Sequence, residues 1–195
     1  MGFAAKLKRP TGSKTTRTTD QTSPSRAVLR FLWTFLVSLV VLSTAVSIWY
    51  VKFPAASAAF IAATAQIVAW SASVACDGIR LNGDLITYHG FSIRVVVECT
   101  GIIEIVIYLA AVISFPASWL RRLIGVVGGT ALIILANVLR MATLLIIGAS
   151  SEHWFEIAHY YAYQVSMLLL IVGVWIAWFY FAVLDRRKEP QPISA

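Results

Sequence analysis

The sequence predicts an all-α polytopic membrane protein with about four transmembrane helices, an added outer-surface or re-entrant helix, and a small exoplasmic β-hairpin. Three observations predict it. Of 195 residues, 59% are apolar and only 13% charged, where soluble domains run nearer about a quarter charged. Several apolar runs reach the roughly 20 residues that a bilayer crossing needs. The basic residues sit beside those runs, seven of the sixteen (Lys6, Lys8, Arg9, Lys14, Arg17, Arg26 and Arg30) lying before or at the start of the first one. The net charge of +7 is therefore a topology signal and not a nucleic-acid footprint.

Taken in order, residues 1–27 are rich in Ser, Thr, Lys, Arg and Pro and read as a disordered cytoplasmic tail. Residues 28–51 make one membrane helix with Trp49 and Tyr50 as outer interfacial anchors. The basic leader is too long and the apolar core too extended for a cleaved signal peptide. The segment 54–76 is long enough to cross, but Ala, Ser and Thr dominate it and it carries Gln66. Between Asp77 and Val97, β-branched runs are broken by Asn82-Gly83 and His89-Gly90, both hairpin-turn signals, predicting a hairpin or three-stranded meander. Further spans follow at 99–118, 122–148 and 162–184. The chain then ends in a cytoplasmic tail, 185–195, opening on Asp185-Arg186-Arg187-Lys188. Residues 28–184 thus form the membrane-embedded domain.

Parity decides the doubtful segment. Under the positive-inside rule both termini and the Trp119–Arg122 turn face the cytoplasm, so only one crossing precedes Cys99. The 54–76 segment then lies along the outer surface or dips in and returns. Twelve of the sixteen basic residues are cytoplasmic in this arrangement.

The stretch Val95–Ile103 carries the chemistry. Cys99, preceded by Glu98 and followed by Thr100 and Gly101, stands where the strand-like segment gives way to an apolar helix. A thiol at a helix start meets the positive end of the dipole and unpaired N–H groups, which favour thiolate. Arg140 lies about 26 Å along its helix from Leu123, near the outer edge of a core about 30 Å thick. His159 precedes the last helix on the same side. Three elements thus bring a thiol, a guanidinium and an imidazole to one depth.

Each residue also has a plainer reading: Cys99 as a packing residue, Arg140 snorkelling to headgroups, His159 as an interfacial side chain. Asn137 argues otherwise, because an amide and a guanidinium at i and i+3 point together into the bundle, where they need partners. Glu104 is an intramembrane acid whose candidate partners are Arg140 or an outer-leaflet water pocket. Tyr163, one turn after His159, is placed to orient it. His153 is an alternative base farther out, and His89 is structural. Trp119, Trp154, Tyr160, Tyr161, Trp175 and Trp178 read as interface anchors or lipid-facing packing. Cys76 and Cys99 have no metal or CxxC spacing, so neither a metal nor another cofactor is expected.

The runs Glu98-Cys99-Thr100-Gly101 and Asn137-Val138-Leu139-Arg140, with His159 before a final helix, resemble the exosortase/archaeosortase family over roughly residues 60–184. Thr100 stands where the family commonly has Ser, and the brevity is that of a short form such as the H subtype. The resemblance implies a membrane cysteine transpeptidase with Cys99 as nucleophile, Arg140 as oxyanion stabiliser and His159 as acid/base. Its implied partners are exported proteins carrying a C-terminal sorting signal (motif, transmembrane helix, basic tail), with membrane lipid around it and a lipid or glycan as a conceivable acceptor. The implied location is the bacterial inner (plasma) membrane, with the site facing the periplasm or exterior. Two other classes compete: a non-catalytic membrane scaffold built on Glu104, Asn137 and Arg140, and a thiol-redox membrane protein using Cys76 and Cys99.

Overall fold

One long helix carries the architecture. In a computed structural model, which describes residues 24–159 and 163–184, α4 (Trp119–Ser150) runs for 32 residues without a break, about 48 Å at about 1.5 Å per residue. The other elements are α1 (Pro24–Lys52), α2 (Pro54–Ser73), β1 (Arg80–Asn82), β2 (Leu85–Tyr88), β3 (Phe91–Arg94), a 3₁₀ turn (Val97–Thr100), α3 (Ile102–Ser114), α5 (Glu152–Ile157) and α6 (Tyr163–Leu184). The C-terminal tail, Tyr160 and Tyr161 lie outside the described residues. So does the N-terminal tail up to residue 23, while α1 starts at Pro24, four residues earlier than expected.

Four helices, α1, α2, α4 and α6, are long and apolar enough to cross a bilayer. The chain is an all-α polytopic membrane protein with a small sheet. The membership of that set differs from expectation, because α2 qualifies and α3 does not. The predicted span 99–118 shrinks to a helix of 13 residues, about 20 Å long. Two residues trim it. Gly101 adopts φ 81° and ends the preceding turn in the left-handed region, which glycine enters freely. At the other end Phe115 is extended, as a residue before proline prefers.

The core divides into two layers along α4. The inner layer joins Tyr108 and Val112 of α3, Ile133 of α4, and Ile171, Val174, Trp178 and Ala182 of α6. The outer layer joins Ala65, Val68, Ala69 and Ala72 of α2, Ile86 and Ile93 of the sheet, and Val138, Met141, Ala142, Leu144 and Leu145 of α4. No α2 residue belongs to the inner cluster. The start of α2 adjoins the end of α1, where Trp49 meets Phe60 edge-on at 5.9 Å. Its far half packs with the sheet on the second half of α4. By length and composition α2 is among the candidate spans, where the sequence predicted a surface or re-entrant segment, and its buried residues pack within the outer layer alone.

Close helix approach in the inner layer rests on two glycines of α4. A Cβ on Gly129 would fall 2.1 Å from the Tyr108 hydroxyl oxygen, and one on Gly125 would fall 2.1 Å from Trp178 Nε1. Small residues four apart let neighbours reach the helix backbone. Tyr108 donates to Gly125 C=O at 2.8 Å, and Trp178 Nε1 donates to Arg121 C=O at 2.9 Å. Trp178 is thus buried and hydrogen-bonded, contrary to its reading as an interface anchor or lipid-facing residue. Its indole satisfies a helix carbonyl instead of a headgroup. Trp119 and Trp154 are exposed as expected, at 75% and 62%.

The sheet is an antiparallel meander in the order β1-β2-β3. Asn82 still pairs with Leu85, so the first turn centres on Gly83-Asp84, with Gly83 at φ 63°. The second turn centres on His89 and Gly90, at φ 48° and 85°, the double-positive pattern of a type I′ hairpin. His89 is a turn residue, as expected.

Gly129→Ala is expected to destabilise the protein by about 1–3 kcal/mol through overpacking against Tyr108. The unfolding midpoint of the detergent-solubilised protein checks this, with Gly128→Ala, which faces open space, as the control.

Candidate active site

The site forms at the seam between the two layers. Cys99 lies within the 3₁₀ turn, two residues ahead of Gly101, the N-cap of α3. This corrects the expectation that the thiol opens the helix itself. Its own N–H is already bonded to Val96 C=O at 2.9 Å. Thr100 is buried, and its hydroxyl donates to Val97 C=O at 2.6 Å, closing the turn.

The turn is fastened to α4 by one long-range bond. Asn137, 1% exposed, donates from Nδ2 to the Cys99 carbonyl at 2.7 Å. Gly101 permits this approach, since a Cβ there would stand 3.3 Å from the Asn137 amide. Thr100, Gly101 and Asn137 therefore form the wall behind Cys99.

One turn along α4 from Asn137, Arg140 comes within 3.9 Å of Glu104 of α3, both side chains being largely shielded. That is the outer limit of an ion pair. Glu104 Oε2, Arg140 Nε and Asn137 Oδ1 are buried and find no hydrogen-bond partner among the described residues. Buried polar groups are normally satisfied, and intramembrane charges left short of partners mark places where a ligand or water is handled.

His159 reaches the site by a different route. It follows α5 in a wider, π-type turn at Ala158–His159, and does not itself open α6. Its ring stacks on Phe155 at 5.4 Å and 12°, Phe155 meets Phe91 of β3 edge-on at 4.9 Å, and Phe91 fills the space over Gly148 of α4. An aromatic chain thus links the imidazole to the sheet. Tyr163 opens α6, but its side chain is outside the described residues, so its expected orienting role belongs there too.

A cleft of about 650 Å³ collects these groups: Glu98, Cys99, Glu104, Arg140 and His159 all line it, with Ile103, Leu168 and other apolar residues of α3, α4 and α6. Ile103 and Leu168 on its rim are 49% and 60% exposed, so it opens sideways between α3 and α6. Neither His153 nor His89 lines it. His153 lies against Trp154, and His89 borders a separate hollow of the sheet with Arg80 and Thr87. Among the described residues no group of three or more His, Cys, Asp or Glu could hold a metal ion. Both cysteines are free, and Cys76 is hydrogen-bonded with Tyr88, which pushes that phenol above its ordinary pKa.

A thiol, a cation and an imidazole lining one cleft agree with what the sequence motifs resembled. The family model described as transmembrane exosortase matches residues 26–179. The chain belongs to the exosortase family. No curated protein and no solved structure matches the chain. The matched region of this exosortase includes all nine candidate site residues; it begins within α1 and ends within α6. The lining residues Ile103, Leu144 and Met167, and the Phe91–Phe155 link, escaped sequence reading. Apolar residues in apolar helices carry no signal of which way they face.

Asn137→Ala is expected to leave the Cys99 carbonyl without its partner and to destabilise the protein by about 1–3 kcal/mol. Thermal unfolding in detergent measures this, with Asn137→Asp, which removes the donor but keeps the shape, expected to match the alanine variant or exceed it.

Proposed function

We propose that this exosortase is a membrane-embedded cysteine peptidase and transpeptidase that cleaves C-terminal sorting signals of exported proteins at the outer face of the bacterial inner membrane. The observation that carries the reading is the convergence of Cys99, Arg140 and His159, from three separate elements, on one cleft. The Cys99 thiolate attacks the scissile carbonyl, forming a C–S bond and a tetrahedral oxyanion. Arg140 faces that developing charge, a type of stabilisation that contributes about 3–4 kcal/mol. His159 gives a proton to the leaving amine as the C–N bond breaks. The thioester then passes to water or to an amine acceptor. A lateral opening between α3 and α6 suits a substrate that is itself held in the bilayer by an apolar helix.

The basic flanks support the proposed orientation. Trp178 of α6 bonds to Arg121 at the start of α4, so those ends lie on one side, and Arg121 and Arg122 favour the cytoplasm for it. The cleft lies toward the opposite end of α4. Cys76 lies beside Tyr88 and does not line the cleft, so the cleft offers Cys99 no partner thiol. The buried Glu104–Arg140 pair does favour a second reading, a structural polar network in a non-catalytic scaffold. The two readings part on turnover and folding.

Cys99→Ala is expected to abolish processing of a tagged substrate at unchanged protein level, as read on an immunoblot. Arg140→Gln is expected to lower kcat roughly 10²- to 10³-fold while the protein stays folded. Retained processing by Cys99→Ala would sink the peptidase reading, and loss of folded protein in Arg140→Gln would favour the scaffold.

A further inference from the structure

Cys99 and His159 also border a second cavity, of about 340 Å³, whose walls are unlike those of the membrane-side cleft. Its lining takes in the whole of β3, Phe91 through Arg94, together with Phe155 and His159, and Met141 and Leu144 of α4.

β3 is an edge strand of the meander. The register shows which of its backbone groups are free. Tyr88 and Phe91 flank a two-residue turn and form the first hydrogen-bonded pair, and such pairs recur at every second position. Ile86 with Ile93 is the next, and the bond from Val95 N–H to Asp84 C=O at 2.9 Å continues the series. Ser92 and Arg94 therefore turn their backbone N–H and C=O groups away from β2. No described strand covers that side.

A substrate anchored by a membrane helix must pass from helix to extended chain near the bilayer rim, where unpaired backbone groups are costly. Two N–H and two C=O groups spaced two residues apart along β3 are what an extended peptide needs to pair with. We infer that the free edge of β3 is a peptide-binding edge: the segment preceding the cleavage point pairs with the backbone of Ser92 and Arg94 and leads the scissile carbonyl to Cys99. The apolar helix that follows the cleavage point occupies the membrane-side cleft. The inference rests on the peptidase reading above and adds to it where each half of the substrate lies. Main-chain pairing supplies affinity with little demand on sequence, so selectivity falls to the side chains beside the edge.

The test uses a tagged exported protein ending in an extended segment, one apolar helix and a basic tail, shown to be processed by the wild-type chain. In the Cys99→Ala protein, p-benzoylphenylalanine placed at position 94 is expected to crosslink to the segment preceding the cleavage point, mapped by mass spectrometry. The same group at position 81, on the opposite sheet edge, is expected to give none. Ser92→Pro removes an N–H that the sheet does not use and is expected to raise KM roughly three- to tenfold with kcat unchanged. Leu81→Pro makes the same deletion on the far edge and leaves KM as it was. Absence of the position-94 crosslink, equal crosslinking from position 81, or wild-type KM in Ser92→Pro overturns the inference while leaving the peptidase reading intact. A wild-type chain that processes no such protein overturns both.

Discussion

The hydrogen bond from Asn137 to the Cys99 carbonyl is the constraint on which the site depends. Residues 38 positions apart meet there, and among the described residues the bond is the only side-chain hydrogen bond between the 3₁₀ turn and α4. The turn is otherwise held by local bonds, Cys99 to Val96 and Thr100 to Val97. Fixing the carbonyl fixes the peptide plane, and with it the direction in which the Cys99 side chain leaves the backbone. Gly101 is part of the same device, since it gives the chain its left-handed exit and leaves room for the amide.

That anchorage explains why the two core layers are built differently. The inner layer uses close backbone approach: Tyr108 and Trp178 lie on glycines and bond to helix carbonyls. The outer layer uses ordinary aliphatic packing of α2 and the sheet on α4. The seam between them holds the polar groups that neither layer satisfies, Glu104, Arg140 and Asn137 Oδ1. A packed layer on one side and the sheet on the other hold this under-bonded polar cluster in place.

Much of this was legible in the chain. Apolar length gave α1, α4 and α6, and turn chemistry gave the meander, although the first turn shifted by one residue from Asn82-Gly83 to Gly83-Asp84. The i, i+3 spacing of Asn137 and Arg140 announced an inward-facing polar stripe, and both residues do face the seam. Three things were not legible. The break before α3 depends on Gly101 adopting a positive φ, and a glycine alone does not say which sign it takes. The burial of Trp178 depends on Gly125 lying opposite it, a tertiary pairing that no local pattern encodes. The path of His159 through Phe155 and Phe91 joins segments far apart in the chain, and aromatic residues near a membrane surface have too many ordinary uses to reveal it.

The unbroken course of α4 makes it a measuring rod. From Trp119 to Arg140 is 21 steps of one helix, about 31 Å of rise. Each added residue would lift the guanidinium by about 1.5 Å and swing it by about 100°, away from Glu104 and out of register with Gly125 and Gly129. The position of the cleft along α4 is thus quantised: the protein can be refitted to a thicker or thinner bilayer only in near-complete helical turns, and not one residue at a time.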